Sequence, residues 1–476
     1  MKNDNKMTGF RWTIVALLFL ATTINYLDRQ VLSLTWDEFI KPEFHWSDIT
    51  YANITGIFSI VYAIAQLFAG KFVDKMGTKK GYAIAIGVWS VGACLHAACG
   101  IATEAYVGAS DRIDLLNATG DAAVIISTFS MYCFIFARCV LAIGEGGNFP
   151  AAVKTTAEYF PKKDRAFATA IFNAGASIGA LIAPLTVPLL AKHFGWEAAF
   201  LIIGALGIIW MGFWIFMYKK PEDNKRVNAA ELAYIEQDKI NDEKFVGKVE
   251  QTVKPMSILK CFRYRQTWAF TLGKFLTDGV WWFFLFWTPS YLHTQFGIKT
   301  SDPLGMALIF TLYLITMLSI IGGKLPTYII NKTGKDPYSS RMKAMLIYAF
   351  VPLLVLLAQP LGTISPWFPV ICIGLGCAAH QSWSANIYSV GSDRFPKSAV
   401  ATITGITGMA GGLSSFFFQQ FAGRLFEHAD KVGMNFMGFT GKPAGYFIVF
   451  CICAFAYLIG WSVMKLLVPE YKIIKE

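Results

Sequence analysis

Among the ionisable residues inside apolar runs of this chain, four could do chemistry together, Asp28 and Arg29 in one run and Arg138 and Glu145 in another, with Lys274 and Asp278 in a third. An ionisable side chain at the centre of a bilayer costs about 2.5–3.5 kcal/mol even on the cheaper insertion scales, so its presence demands a structural partner or a use. A guanidinium keeps its charge on burial, and its planar fork takes a carboxylate through two parallel hydrogen bonds. Arg29 and Arg138 therefore point to an anionic cargo bearing a carboxylate. A buried carboxylic acid beside such an arginine exchanges a proton when another anion engages or releases that arginine. Asp28 and Glu145 are the expected proton carriers. Salt-bridge pairing within a helix bundle is the competing reading for any one of the four.

Spacing refines this assignment. Arg138 and Glu145 are seven residues apart, nearly two helical turns and a rise of roughly 10 Å, so both project from one helix face and are expected to line the same cavity. Asn25 and Arg29 share a face, with Asp28 about 100° round from Arg29, so Arg29 can face cargo while Asp28 faces a neighbouring helix. Farther along, Asp278 is followed by Trp281 and Trp282, whose ring faces suit the C–H side of a sugar, although Trp is also an ordinary lipid-facing residue. Lys274 and Asp278 form an i, i+4 pair expected to neutralise each other. Tyr26, Gln66, Asn173, His380, Gln381, Ser384 and Asn386 are candidates for reading hydroxyls or for hydrogen bonds between helices. His380 is expected to be a satisfied core histidine, with a proton relay as the alternative.

The elements that position these residues are long apolar helices. The chain has 476 residues, is 55% hydrophobic and only 15% charged, and has a mean hydropathy of +0.47, more apolar surface than a soluble core of this size can hide. Apolar stretches near 11–33, 52–73, 81–101, 123–150, 166–190, 198–218, 267–292, 304–323, 343–361, 366–390, 399–422 and 443–468 predict an all-α membrane protein of twelve transmembrane helices in two pseudo-symmetric six-helix halves. The first run leads into Asp28-Arg29 without a signal-peptide cleavage site and reads as a retained helix. Placing both termini in the cytoplasm puts most of the 42 Lys and Arg on that side, as the positive-inside rule requires. The net charge of +11 then reflects basic loops facing anionic lipid, so nucleic-acid binding is not called for.

Residues 1–218 and 266–476 are the expected halves, joined by a polar cytoplasmic tether at 219–265 whose stretch from Asn228 to Phe245 reads as an amphipathic helix. A second insertion, 102–122, is expected outside and has no assigned role. FPKKDRAFATAIFNAGASIG (160–179) reappears as FPKSAVATITGITGMAGG (395–412), the mark of a duplication. Repeats of this kind place the solute site at the midplane between halves that rock around it.

The cysteines lack metal-ligand spacing, and Cys94, Cys133, Cys139, Cys372, Cys377, Cys451 and Cys453 lie within apolar runs, so neither a disulfide framework nor structural zinc is expected. No cofactor is implied. The run Gly144-Glu145-Gly146-Gly147 lacks the strand-then-helix context of a phosphate loop and reads as close helix packing, as do Gly405, Gly408, Gly411 and Gly412. No Walker sequence is present, which removes ATP-driven transport.

GKFVDKMGTKK (70–80) matches the loop signature of the major facilitator superfamily at Gly70, Asp74, Lys75, Gly77, Lys79 and Lys80, and a degraded copy lies at Gly323 to Lys343. NYLDR (25–29), RCVLAIGEGGNFP (138–150), KFLTDGVWWFFLFWTP (274–289) and HQSWSANIYSVGSDRFPK (380–397) together resemble the anion:cation symporter family within it, and among its members the bacterial hexuronate transporters. One departure is Gly279, which stands where the family pattern has proline. The resemblance implies a gating role for the loop signature and uptake of a carboxylated solute coupled to protons or, in some branches, sodium. Asp28, Glu145, Arg29 and Arg138 match the family's acids and arginines. The expectation is a monomeric, proton-coupled importer of a hexuronate such as glucuronate or galacturonate in a bacterial cytoplasmic membrane. Alternatives are another carboxylate (a hexonate such as galactonate, or a dicarboxylate), sodium coupling, a membrane enzyme or a transporter-like sensor. No nucleophile–base pair or output module supports the last two.

Overall fold

The computed structural model describes residues 6–237, 258–334, 337–392 and 397–469. Within lipid every backbone N–H and C=O must be satisfied inside its own segment, and the apolar runs accordingly fold as helices. Twelve define the architecture: α1 Phe10–Thr35, α2 Asp48–Met76, α3 Thr78–Val107, α4 Asp121–Glu145, α5 Lys162–Phe194, α6 Trp196–Met217, α7 Arg265–Phe296, α8 Pro303–Thr316, α9 Pro337–Phe350, α10 Trp367–Ser392, α11 Lys397–Val432 and α12 Lys442–Leu467. Among the described residues, nine helical segments are long and apolar enough to cross a membrane. The three helices outside that set, α7, α10 and α11, include those bearing Lys274, Asp278, His380 and Gln381.

Several boundaries differ from the sequence expectation. α1 runs on through a π-helical turn, Trp36–Ile40, into Lys41–Phe44. The fourth apolar run is not one helix, because the chain turns at Gly146-Gly147 and resumes as Asn148–Tyr159. The eighth is interrupted after Thr316 and continues as Ser319–Gly322 and Leu325–Thr333. α7 passes unbroken through Gly279, whose N–H donates to Ser414 Oγ at 3.1 Å, a bond proline could not make.

The first six helices pack among themselves, as do the last six, with α2 against α11 and α5 against α8 joining the sets. Close approach is written into the glycines. A Cβ on Gly144 would lie 2.3 Å from the Trp89 nitrogen, so α3 and α4 meet backbone to backbone there. At the end remote from the chain termini, ion pairs and hydrogen bonds tie the two sets: Lys442 to Asp48 at 2.8 Å, His293 to Asp37 at 2.9 Å, Ser59 to Ser415 at 2.8 Å, and Tyr51 Oη donating to the Phe286 carbonyl at 2.9 Å. The 102–122 insertion forms the helix Arg112–Asn117 and folds onto the α1–α2 connection, Arg112 pairing with Glu43 at 2.6 Å.

At the opposite end, the short helix Ala229–Ile235, capped by Asn228, grips the start of α1. Buried Glu231 accepts hydrogen bonds from the Thr8 hydroxyl, the N–H groups of Phe10 and Arg11 (3.0 Å each) and the Arg11 guanidinium at 3.2 Å. Desolvation opposes ionisation of Glu231, yet the bonds from Thr8, Arg11 and Phe10 outweigh it and hold the carboxyl below its ordinary pKa. The rest of the expected amphipathic stretch, residues 238–245, lies outside the described residues, as do 335–336 of the degraded loop copy and 393–396, which include the first two residues of the second repeat.

Candidate functional site

A cavity of about 820 Å³ lies between the two sets of helices. Tyr26 and Arg29 reach it from α1, Gln66 from α2 and Asn173 from α5; Trp281 and Trp282 reach it from α7, and His380 and Gln381 from α10. Helical periodicity explains the grouping, since Trp281 and Trp282 follow Asp278 by one turn and all three line the same wall.

Arg29 is 3% exposed and held from two directions. Its Nε and Nη2 donate to Glu145 Oε2 at 3.1 and 2.6 Å. Its guanidinium also sits over the rings of Tyr62, Tyr26 and Trp282, at 4.6, 5.1 and 5.1 Å from their centroids. Cation–π contact of this kind favours a guanidinium over an ammonium and keeps the fork aligned. Trp282 belongs to the last six helices, so Arg29 bridges the two sets.

The structure does not bring all the expected residues to the cavity. Arg138 and Glu145, expected to line it together, both lie behind its wall. The two-turn spacing carries Arg138 toward the closed remote end, where it is 1% exposed and stands over the Phe58 ring at 5.1 Å. Its guanidinium nitrogens have no hydrogen-bond partner among the described residues, nor do both oxygens of Asp28, whose charged neighbours are Glu145, Arg138 and Arg29. The predicted clamp of two arginines on one cargo is thus replaced by one cavity-facing arginine backed by a buried cluster of Asp28, Arg138 and Glu145. Asn386 also misses the cavity, its Nδ2 donating one turn back to the Ser382 carbonyl at 2.8 Å.

On the opposite wall Lys274 pairs with Asp278 at 2.8 Å and with Ser384 Oγ at 3.0 Å, the mutual neutralisation expected of the i, i+4 spacing. All three residues line the cavity. His380 lies with its ring parallel to Trp281, 5.4 Å between centroids, and its Nδ1 is 2.8 Å from the Tyr457 hydroxyl. Sequence reasoning missed Tyr62, Ser177, Tyr313, Thr316 and Thr404 in the lining. Tyr62 was accessible to it, standing one turn before Gln66, whose Nε2 donates to its hydroxyl at 3.1 Å. Tyr313 and Thr316 carry no charge and sit in a uniformly apolar run, where periodicity cannot separate cavity from lipid.

Of the loop signature, Asp74 at the end of α2 pairs with Lys154 of Asn148–Tyr159 at 2.8 Å, and Thr78 donates to Glu158 at 2.6 Å. These contacts hold the α2–α3 turn against the segment that follows Glu145. No group of His, Cys, Asp and Glu suited to a metal ion occurs among the described residues.

With this geometry the chain resembles known proteins over nearly its whole length. It is 31% identical over 434 residues to the hexuronate transporter of Escherichia coli (strain K12), covering 90% of each chain. It is 29% identical over 325 residues to the galacturonate transporter of Dickeya chrysanthemi, covering 67% of this chain and 83% of that one. The crystal structure of a bacterial homolog to the human lysosomal transporter Spinster, in an inward-facing and occupied conformation, superposes with a TM-score of 0.65 at 17% identity, covering 96% of this chain and 97% of the other. The profile of the family described as Major Facilitator Superfamily matches residues 18–419. The chain belongs to that family and is a multi-pass membrane transporter, not an enzyme.

Proposed function

We propose that this transporter imports a hexuronate by proton-coupled symport across a bacterial cytoplasmic membrane, with both termini inside and residues 219–265 tethering the two halves. The observation that carries the reading is Arg29, a guanidinium at the cavity wall that already holds one carboxylate, that of Glu145. A sugar carboxylate entering the cavity competes with Glu145 for the Arg29 fork, and Glu145, once released into an apolar setting, takes a proton. Substrate capture and protonation then become one event. Asp28 and Arg138 behind the wall adjust to the same change of charge.

The remaining lining suits a sugar. Trp281 and Trp282 offer ring faces to C–H groups, while Gln66, Asn173, Gln381 and Ser384 offer donors and acceptors to hydroxyls. Relatives that transport hexuronate and galacturonate support the same cargo. The test is uptake of labelled glucuronate and galacturonate into proteoliposomes under an imposed inward proton gradient, with sodium varied separately. A sodium requirement, or uptake indifferent to the gradient, defeats the proton coupling. Exclusion of both uronates in favour of another carboxylate defeats the cargo.

A further inference from the structure

Asp278 holds an oxygen that the ion pair does not use. Its Oδ2 takes Lys274 at 2.8 Å, whereas Oδ1 has no hydrogen-bond partner among the described residues and stands 4.0 Å from His380 Nε2. The residue is 8% exposed and lines the cavity. A buried carboxylate oxygen without a donor is costly, and the cost is relieved by whatever donor arrives. Its position is also fixed from behind. A Cβ on Gly411 would lie 2.2 Å from Asp278 Oδ2, so only glycine lets α11 approach the carboxylate this closely.

The second cue is position. Trp282, which stacks on Arg29, follows Asp278 by one turn of α7, a rise of roughly 6 Å along the helix, and Arg29, Trp282 and Asp278 all line the one cavity. Taking the cargo to be a hexuronate as proposed above, we propose that Asp278 is the specificity-determining residue of the cavity. Its Oδ1 accepts a hydroxyl hydrogen from the end of the sugar remote from the acid, and its charge turns away cargo that carries a second carboxylate there. Lys274, already neutralised by Asp278, offers such a carboxylate no free cation. A hydroxyl, by contrast, fills the vacant acceptor, and sites built around such a bond reject analogues that cannot make it.

The experiment uses the full chain in proteoliposomes and measures how galactarate, which has a carboxylate at both ends, and galacturonate inhibit uptake of labelled glucuronate. The wild type is expected to prefer galacturonate by about tenfold or more. Asp278→Asn is expected to erase most of that preference by removing the repelling charge and exposing Lys274, and Lys274→Gln/Asp278→Asn, which removes that cation as well, to restore only part of it. A monodisperse Asp278→Asn variant with wild-type discrimination overturns the assignment while leaving the hexuronate reading intact. A wild type that takes up no uronate overturns both. A third arm needs no variant. Deoxy analogues of glucuronate, tested on the wild type, should include one remote position whose loss weakens inhibition by about tenfold or more, and equal inhibition by all of them also overturns the proposal.

Discussion

One oxygen of Glu145 takes both hydrogen bonds from Arg29, at 3.1 Å from Nε and 2.6 Å from Nη2, while its other oxygen has no hydrogen-bond partner among the described residues. The pair is asymmetric in position too, since Arg29 lines the cavity and Glu145 stands behind it. An arrangement serving stability alone would satisfy both oxygens, because an unmet buried acceptor is a loss without return. Here the arginine is held by Glu145 on one side and faces the cavity on the other.

Replacing Glu145 by Gln removes the group proposed to carry the proton while keeping its shape. Uptake driven by a proton gradient is expected to vanish, whereas exchange of internal for external substrate at equal pH should persist. Arg29→Gln should lower both by at least about thirtyfold, the usual scale for truncating one side of a buried charged pair. Gradient-driven accumulation by Glu145→Gln at the wild-type level would remove Glu145 from the coupling path.

The remote end offers a direct check on alternating access. Ser59 Oγ and Ser415 Oγ are 2.8 Å apart across α2 and α11. Cysteines at both positions, in a background freed of the native nine, should join under mild oxidation and hold this end shut. Transport is expected to fall by about tenfold or more and to return on reduction, since solute must pass between the halves. A cross-linked protein that transports normally would mean that this contact persists through the cycle.

The sequence carried the fold because its signal is additive: each apolar run announces a helix independently of what surrounds it. Arg29 was legible as a cavity cation because a guanidinium in an apolar run is costly wherever it points. Which face of α4 meets the cavity was not legible. Arg138 and Glu145 share a face, yet that face turns toward α1 and the α2 ring of Phe58, a choice made by backbone contacts such as Gly144 on Trp89. The second polar wall was half legible. The spacing of Lys274 and Asp278 gave their pairing, but the oxygen left over depends on Gly411 and Ser384, more than a hundred residues away.

Glu231 makes the N-terminal clamp sensitive to pH. Its carboxyl titrates lower in the folded protein than in the unfolded chain, so its stabilising contribution is present above the unfolded value of about 4.3 and disappears as pH falls through the lower folded value. Glu231→Gln should therefore melt below the wild type at pH 7, and the gap should narrow steadily below about pH 4. Thermal unfolding of the purified protein across that range measures it. A gap independent of pH would assign the loss to shape alone.

Two glycines that look alike in sequence should respond in opposite ways to alanine. At Gly144 the new methyl would meet the backbone of α3, 2.3 Å from the Trp89 nitrogen and 2.6 Å from the Ala85 carbonyl oxygen, so the helices must part. Overpacking of this kind costs about 1–3 kcal/mol, and because Glu145 is the next residue the shift also pulls it from Arg29. Gly144→Ala should lower both the melting temperature and gradient-driven uptake. At Gly70, in the loop signature, nothing stands within 4 Å of the added Cβ, and alanine also favours the helix through the entropy of the unfolded chain. Gly70→Ala should melt at or above the wild-type temperature. If its uptake nevertheless falls, the space beside Gly70 is filled in another state of the transport cycle, and the signature acts through that state.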